Sequence, residues 1–235
     1  MVAAFLVGML AGLATGIFHT FMGIPAILAG ILTQLSLYSI NLRILGGKAN
    51  MAVSVNNYPL LVSARNARVL SLSNPIFILA ALAVAVIALL YWFFGTERGC
   101  SLRATGANAN MARAQGINTD VTIMLGLIIS NGFVGVTGAL LSQSNGYADV
   151  NMGTGVLVTG LASIIIGEVL FGTRSFKNWL ISVVLGSIVY RAVVAFVLWL
   201  GMNPNDLKLL TAVIVAVALA LPLIKSKMQK LRSNM

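Results

Sequence analysis

The sequence predicts an all-α fold, a polytopic transmembrane helix bundle of about seven membrane segments, some short or re-entrant, forming a single domain over residues 1–235. Three observations lead there. Only 9% of the 235 residues are charged while 59% are apolar, whereas ordinary globular chains carry about 25% charge. No charged residue occurs from Met1 to Leu42, between Arg68 and Glu97, or between Asp120 and Asp149, and each gap holds at least one span of roughly 20 residues. The apolar runs do not alternate as barrel strands would, and a helix satisfies its own backbone in lipid.

Bounding the apolar runs by charge, Pro or Gly gives segments at Val2 to Phe18, Ile24 to Leu42, Pro75 to Phe94, Val121 to Leu141, Val156 to Phe171, Trp179 to Leu200 and Leu207 to Leu223. The tail at 224–235 carries Lys225, Lys227, Lys230 and Arg232, so the positive-inside rule places the C-terminus in the cytoplasm. Counting spans backwards puts Arg98 to Asp120 and Thr173 to Asn178 on the same side. The inner segments then hold nine basic residues, Arg98, Arg103, Arg113, Arg174, Lys177 and the four of the tail. The outer segments hold five: Arg43, Lys48, Arg65, Arg68 and Lys208. Met1 opens into an apolar helix with no charged lead or cleavage site, unlike a signal peptide. Such a start suggests that further residues precede it.

Composition excludes several function classes. One cysteine, Cys100, and one histidine, His19, leave no pair or cluster for a disulfide, zinc or an iron-sulfur centre. No cofactor is expected. His19 reads as a polar residue at a helix end. No Gly-rich loop ending in Gly-Lys-Ser/Thr is present, so ATP is not bound by that route. Fifteen Lys and Arg against five Asp and Glu give +10. Because these charges flank spans, they mark topology and a lipid bilayer as surroundings, with no nucleic acid partner.

Gly8, Gly12 and Gly16 form overlapping small-xxx-small motifs on one face of the first span, where a second helix can approach closely. Gly132, Gly135 and Gly138 make a second small face, and Gly153, Gly160 and Gly167 a third. Polar groups within or beside the spans are candidates for a translocation path: Asn131, Gln143, Asn145, Asp149, Glu168 and Arg191. An ionised group at mid-membrane costs roughly 3 kcal/mol on insertion scales and so faces protein or water. Glu168 lies about 9 Å along the helix from Arg174 and Arg191 about 20 Å from Lys177. The two charges therefore sit at different depths, each either structurally satisfied, with Asp149 or Asp206 in reach of Arg191, or placed in a path. The external stretch Ser142 to Gly155, SQSNGYADVNMGTG, reads either as a plain loop or as a re-entrant or broken-helix element of the kind found at transporter sites.

The loop at 96–120 carries a helix-like stretch from about Ala107 to Gln115, with Gly106 before it and Gly116 at the position where helices commonly end. Its small side chains at Ala104, Ala107, Ala109, Ala112 and Ala114 make a compact surface that seats in a groove on another protein, or an ordinary helix joining two spans. The run Leu102-Arg103-Ala104-Thr105-Gly106, then Asn108, Ala112 and Gly116-Ile117-Asn118, resembles the coupling-helix region of ABC importer permeases of the branched-chain amino acid and ribose type. The stretch from Gly153 through Gly167 and Phe171-Gly172 is similar to the second half of those permeases, and GLATGIFHT, GIPAILAGILT and YSINLRILGG resemble their amino-acid branch. Members usually carry two further membrane segments before the region matching Val2 to Thr20.

The resemblance implies a permease subunit of a bacterial plasma (inner) membrane importer that performs no chemistry itself. It implies cytoplasmic ATP-binding subunits, a second permease subunit in a homodimer, and an extracytoplasmic substrate-binding protein. Arg103, Ala104, Thr105, Gly106, Asn108, Ala112 and Gly116 would carry the ATPase coupling that drives alternating access. The rival function is an ion-coupled secondary transporter or channel using Glu168 or Arg191. An intramembrane enzyme is disfavoured, because Asp149, Glu168 and Asp206 are too scattered to form a carboxylate pair.

Overall fold

The computed structural model describes residues 1–53, 75–201 and positions 206, 209, 211–213 and 216. It is all-α apart from one short ribbon, and it divides into two compact units, Met1–Met152 and Gly153–Met235. Among the described residues five helices are long and apolar enough to cross a membrane. The fold class is thus as expected, and the described residues hold five of the seven expected segments at full spanning length. The segment expected at Val156 to Phe171 is a helix of 16 residues, about 24 Å long against a hydrocarbon core of about 30 Å. Most of the segment expected at Leu207 to Leu223 lies outside the described residues.

In the first unit, α1 (Val2–Thr20) and α2 (Ala26–Ile44) form a helical hairpin. Its turn is closed by His19, whose Nδ1–H donates to the Ile24 carbonyl at 2.8 Å. The Thr15 hydroxyl donates to Thr33 Oγ1 at 2.9 Å, and Thr33 donates on to the Ala29 carbonyl, so this buried pair joins the helices without an unpaired group. Then follow β1 (Asn50–Ala52), α3 (Pro75–Gly95), α4 (Glu97–Ala107), α5 (Ala109–Ala114), α6 (Thr119–Asn145) and β2 (Tyr147–Asp149).

The tightest packing in this unit is between α1 and α6. A Cβ on Gly8 would collide with the backbone of Asn131, one on Gly12 with that of Leu127 and Ile128, and one on Gly16 with Met124. Rising numbers on α1 meet falling numbers on α6, so the helices are antiparallel. Gly135 faces the backbone of Ala4, and Gly132 faces Phe5 and Met9. Phe5 and Phe133 pack edge to face, with ring centroids 5.7 Å apart. In lipid the hydrophobic effect does not press helices together, so this close backbone approach is what provides the van der Waals attraction. Gly138 has open space around it and takes no part.

α6 runs several residues past the expected Leu141 and stops at Gly146, whose left-handed backbone (φ +75°) returns an N–H to the Ser142 carbonyl. β2 follows and pairs antiparallel with β1, Asn50 opposite Asp149 and Ala52 opposite Tyr147. The stretch from Ser142 to Met152 is therefore not a re-entrant helix. It is the last turn of α6 and one strand of a ribbon that joins the far ends of α2 and α6.

The second unit is a hairpin of α7 (Val156–Phe171) and α8 (Phe176–Trp199). Gly167 fits against the Ser182 backbone and Gly186 against Ser163 and Gly167, whereas Gly153 and Gly160 have open space. The Ser182 hydroxyl lies 2.9 Å from the Gly172 carbonyl and 2.8 Å from that of Asn178, fixing the turn. Buried Tyr190 shares a hydrogen bond with Thr211 at 2.9 Å, tying α8 to the segment beyond it.

Candidate functional site

The loop expected to hold one short helix holds two. Thr96 caps α4 by accepting the Gly99 N–H at 3.3 Å, and Glu97 lies in the first turn, where the helix dipole favours an anion. α4 consequently starts ten residues before the expected Ala107 and contains Gly106 in its last turn. Asn108 breaks the helix with an extended backbone (φ −157°) and caps α5 through Oδ1, which accepts the Met111 N–H at 3.1 Å. At Gly116 the backbone turns left-handed (φ +81°), returning N–H groups to the Arg113 and Ala112 carbonyls from Gly116 and Ile117. That end is where the glycine predicts it.

Two further contacts hold the helix pair against the next span. Arg113 Nε donates to the buried Thr119 hydroxyl at 2.7 Å, and its guanidinium lies 3.7 Å from Asp120. The ion pair has side chains 59% and 63% exposed, so it contributes little compared with the hydrogen bond. Asn118 caps α6 by accepting the N–H groups of Asp120 and Val121. Gly99 is buried where a Cβ would meet the Phe93 carbonyl, so the end of α3 and the start of α4 cross at close quarters. Between α4 and the start of α6 lies a cleft of about 450 Å³, with Arg98 and Ser101 beside Leu102, Ile117, Val121 and Leu125.

The coupling candidates separate by exposure. Thr105 and Ala112 are buried, and Thr105 donates to the Ser101 carbonyl at 2.9 Å, so both face the chain's own packing. Ala104 is half-buried; Arg103, Gly106, Asn108 and Gly116 are exposed. A Cβ on Gly106 would meet open space. The surface available to a partner is thus the outer face of α4 and the α4–α5 junction.

The path candidates do not gather into one cluster. In the first unit, Asn131 donates to the Leu127 carbonyl at 2.9 Å, within its own helix. Gln143, Asn145 and Asp149 lie at the ribbon end of α6, where Asp149 accepts the Asn151 N–H at 2.6 Å. In the second unit, Glu168 accepts a hydrogen bond from the Trp179 indole at 2.7 Å. Charge patterning misses this bond, because Trp179 stands in the sequence only as an apolar boundary. Arg191 is exposed on α8 and has no partner among the described residues. Among the described residues, no three His, Cys, Asp or Glu side chains gather in one place.

The five helices of lipid length among the described residues define an integral membrane protein. Over residues 1–219 the chain matches the family described as the permease component of branched-chain amino acid transport systems, and it belongs to that family of ABC importer permeases. It is 40% identical over 217 residues to the tyrosine transport system permease protein of Clostridioides difficile (strain R20291), covering 92% of this chain and 70% of that one. It is 32% identical over 202 residues to an uncharacterized protein of Rickettsia prowazekii (strain Madrid E), covering 84% and 69%. It is 30% identical over 168 residues to the autoinducer 2 import system permease protein LsrC of Yersinia pseudotuberculosis (serotype O:1b, strain IP 31758), covering 71% and 45%. No solved structure matches the chain. Membership makes this an integral protein of a bacterial inner membrane, whose ATP hydrolysis lies in separate ATP-binding subunits and whose solute is delivered by a substrate-binding protein.

Proposed function

We propose that the chain is a single permease domain that imports an amino acid, aromatic or branched-chain, by alternating access, as one of two identical permease subunits with its C-terminus in the cytoplasm. The observation that carries the coupling role is the capped helix pair α4–α5, which offers Arg103, Gly106, Asn108 and Gly116 on an exposed face while Thr105 and Ala112 hold it to the bundle. Closure of two ATPase subunits grips this pair. Because it is clamped to α6 through Arg113 and Thr119, its displacement passes to α6 and, through the glycine seam, to α1. Two-state helix packing converts that shift into access from the opposite side.

The substrate class rests on the family and on the tyrosine permease relative. The path draws on Asn131, Gln143, Asn145, Asp149, Glu168 and Arg191. Gln143, Asn145 and Asp149 form an outer mouth of amide and carboxylate groups, and Arg191 is a cation within a span that calls for an anionic or aqueous partner.

The test is reconstitution with the ATPase and binding-protein subunits in proteoliposomes. Wild type is expected to take up labelled tyrosine or leucine only with ATP. Gly106→Trp is expected to reduce uptake more than ten-fold while ATP hydrolysis and membrane insertion persist, since the position has room for the side chain. Normal coupled uptake in this variant overturns the coupling role, and uptake that survives ATP depletion on an ion gradient overturns the importer.

A further inference from the structure

α2 is the least apolar of the five long spans, and its polar residues are ordered. Gln34, Tyr38 and Asn41 fall at i, i+4 and i+7, within an arc of about 60° around the helix. Gly30 extends the same face by one turn, with nothing within 4 Å of a Cβ placed there. The face that meets α1 is marked by buried Ala29 and Thr33, about 130° away from the polar arc. Leu28, Leu32 and Leu35 make a third, exposed face that is apolar apart from Ser39.

Gln34, Tyr38 and Asn41 are exposed, Tyr38 by 43%, and their side chains have no hydrogen-bond partner among the described residues. Such groups cannot face lipid, since an unpaired amide costs about 4–8 kcal/mol on transfer from water to hydrocarbon. The three leucines, about 90° and more from the centre of the arc, have no such cost. The polar arc must therefore meet water or protein.

We infer that Gln34, Tyr38 and Asn41 line a water-filled outer half of the path and hydrogen-bond the passing solute, a zwitterionic or uncharged polar molecule. This rests on the permease reading above and deepens it. Continuity favours water over a protein partner. Asn41 lies in the last turn of α2, from which the chain runs through Gly46 and Gly47 into β1, and β1 pairs with β2 at Asp149. The arc thus leads to the end of α6 that carries Gln143 and Asn145. Its chemistry suits passage as well. Amide and phenol groups can donate to a carboxylate and accept from an ammonium without forming an ion pair, and transport needs contacts weak enough to release. The apolar Ile27 and Ile31 occupy the same side of α2 toward its opposite end, so the polar lining stops partway through the membrane.

The test uses the full chain in membrane fragments open on both sides, in a Cys100→Ser background with single cysteines and a membrane-impermeant maleimide. Gln34→Cys, Tyr38→Cys and Asn41→Cys are expected to react at least ten-fold faster than Leu32→Cys and Leu35→Cys. Equal rates at all five positions overturn the inference. So does oxidative cross-linking between two copies of the Gln34→Cys or Tyr38→Cys variant in place of labelling, which would make the arc a subunit interface. In coupled proteoliposomes, Gln34→Leu is expected to lower uptake at least five-fold, and unchanged uptake overturns the solute contact. Labelling needs no ATPase, so loss of ATP-driven uptake in wild type would sink the importer reading while leaving the labelling pattern to stand or fall separately.

Discussion

Asn108 shows how one side chain sets the form of the loop between α3 and α6. The chain leaves helical geometry at Asn108, which is the C-cap of α4 and the N-cap of α5. The Asn108 side chain accepts the Met111 N–H in the first turn of α5, and the extended backbone turns the chain. Replacing it with Ala removes a cap that contributes about 1 kcal/mol. Asn108→Ala is expected to increase amide hydrogen exchange in α5 by about five-fold while leaving exchange in α6 unchanged, which mass spectrometry resolves. The Trp179–Glu168 bond gives a second residue-scale expectation. Trp179→Phe keeps the ring but removes the exposed indole donor to Glu168, so detergent-solubilised protein should lose about 1 kcal/mol of stability. Glu168→Gln, which can still accept, should lose less, and chemical unfolding compares them.

At the scale of elements, glycine spacing alone does not identify a seam. Gly8, Gly12 and Gly16 all meet α6, but of the second glycine set Gly138 faces open space, and of the third only Gly167 makes a contact. What separates them is the partner's profile. Gly16 is matched by the flexible Met124, whereas Gly12 abuts backbone, which cannot yield. Gly12→Leu is therefore expected to separate α1 from α6 and lower the midpoint of thermal unfolding by several degrees, while Gly138→Leu leaves it unchanged. Circular dichroism in detergent measures both. The spans themselves are legible in the sequence because length and uniform apolarity are local properties. The α4 start at Thr96 and the continuation of α6 to Asn145 are not, since caps compete with charge and glycine as boundary signals. The ribbon joins residues nearly a hundred positions apart, and no local pattern marks that pairing. The polar arc on α2 is present as a period in the sequence but gains meaning only once Thr33 fixes which side meets α1.

At the scale of the whole molecule, the side on which each loop lies follows from pairings that do not depend on counting charges. Antiparallel packing of α1 on α6 puts the α1–α2 turn beside the start of α6, together with α4 and α5. The ribbon puts the ends of α2 and α6 on the other side. Within Met1–Met152 the basic residues do not choose between the two orientations. Arg98, Arg103 and Arg113 lie on the first side, Arg43 and Lys48 on the second, and Arg65 and Arg68 follow β1 outside the described residues. The proposal of an inner α4–α5 face thus rests on the basic tail of the sequence and on the proposed ATPase contact. The protein contains its own probe for this, because Cys100 is its only cysteine and is exposed on α4. Arg103 lies beside it, with Nη2 3.3 Å from Sγ. In intact spheroplasts a membrane-impermeant maleimide should leave Cys100 unmodified and label it fully once the membrane is permeabilised. Lys48→Cys in a Cys100→Ser background should show the reverse order, reacting from outside. Labelling of Cys100 in intact spheroplasts would invert the orientation and remove the ATPase contact from α4 and α5, whatever the family of the chain.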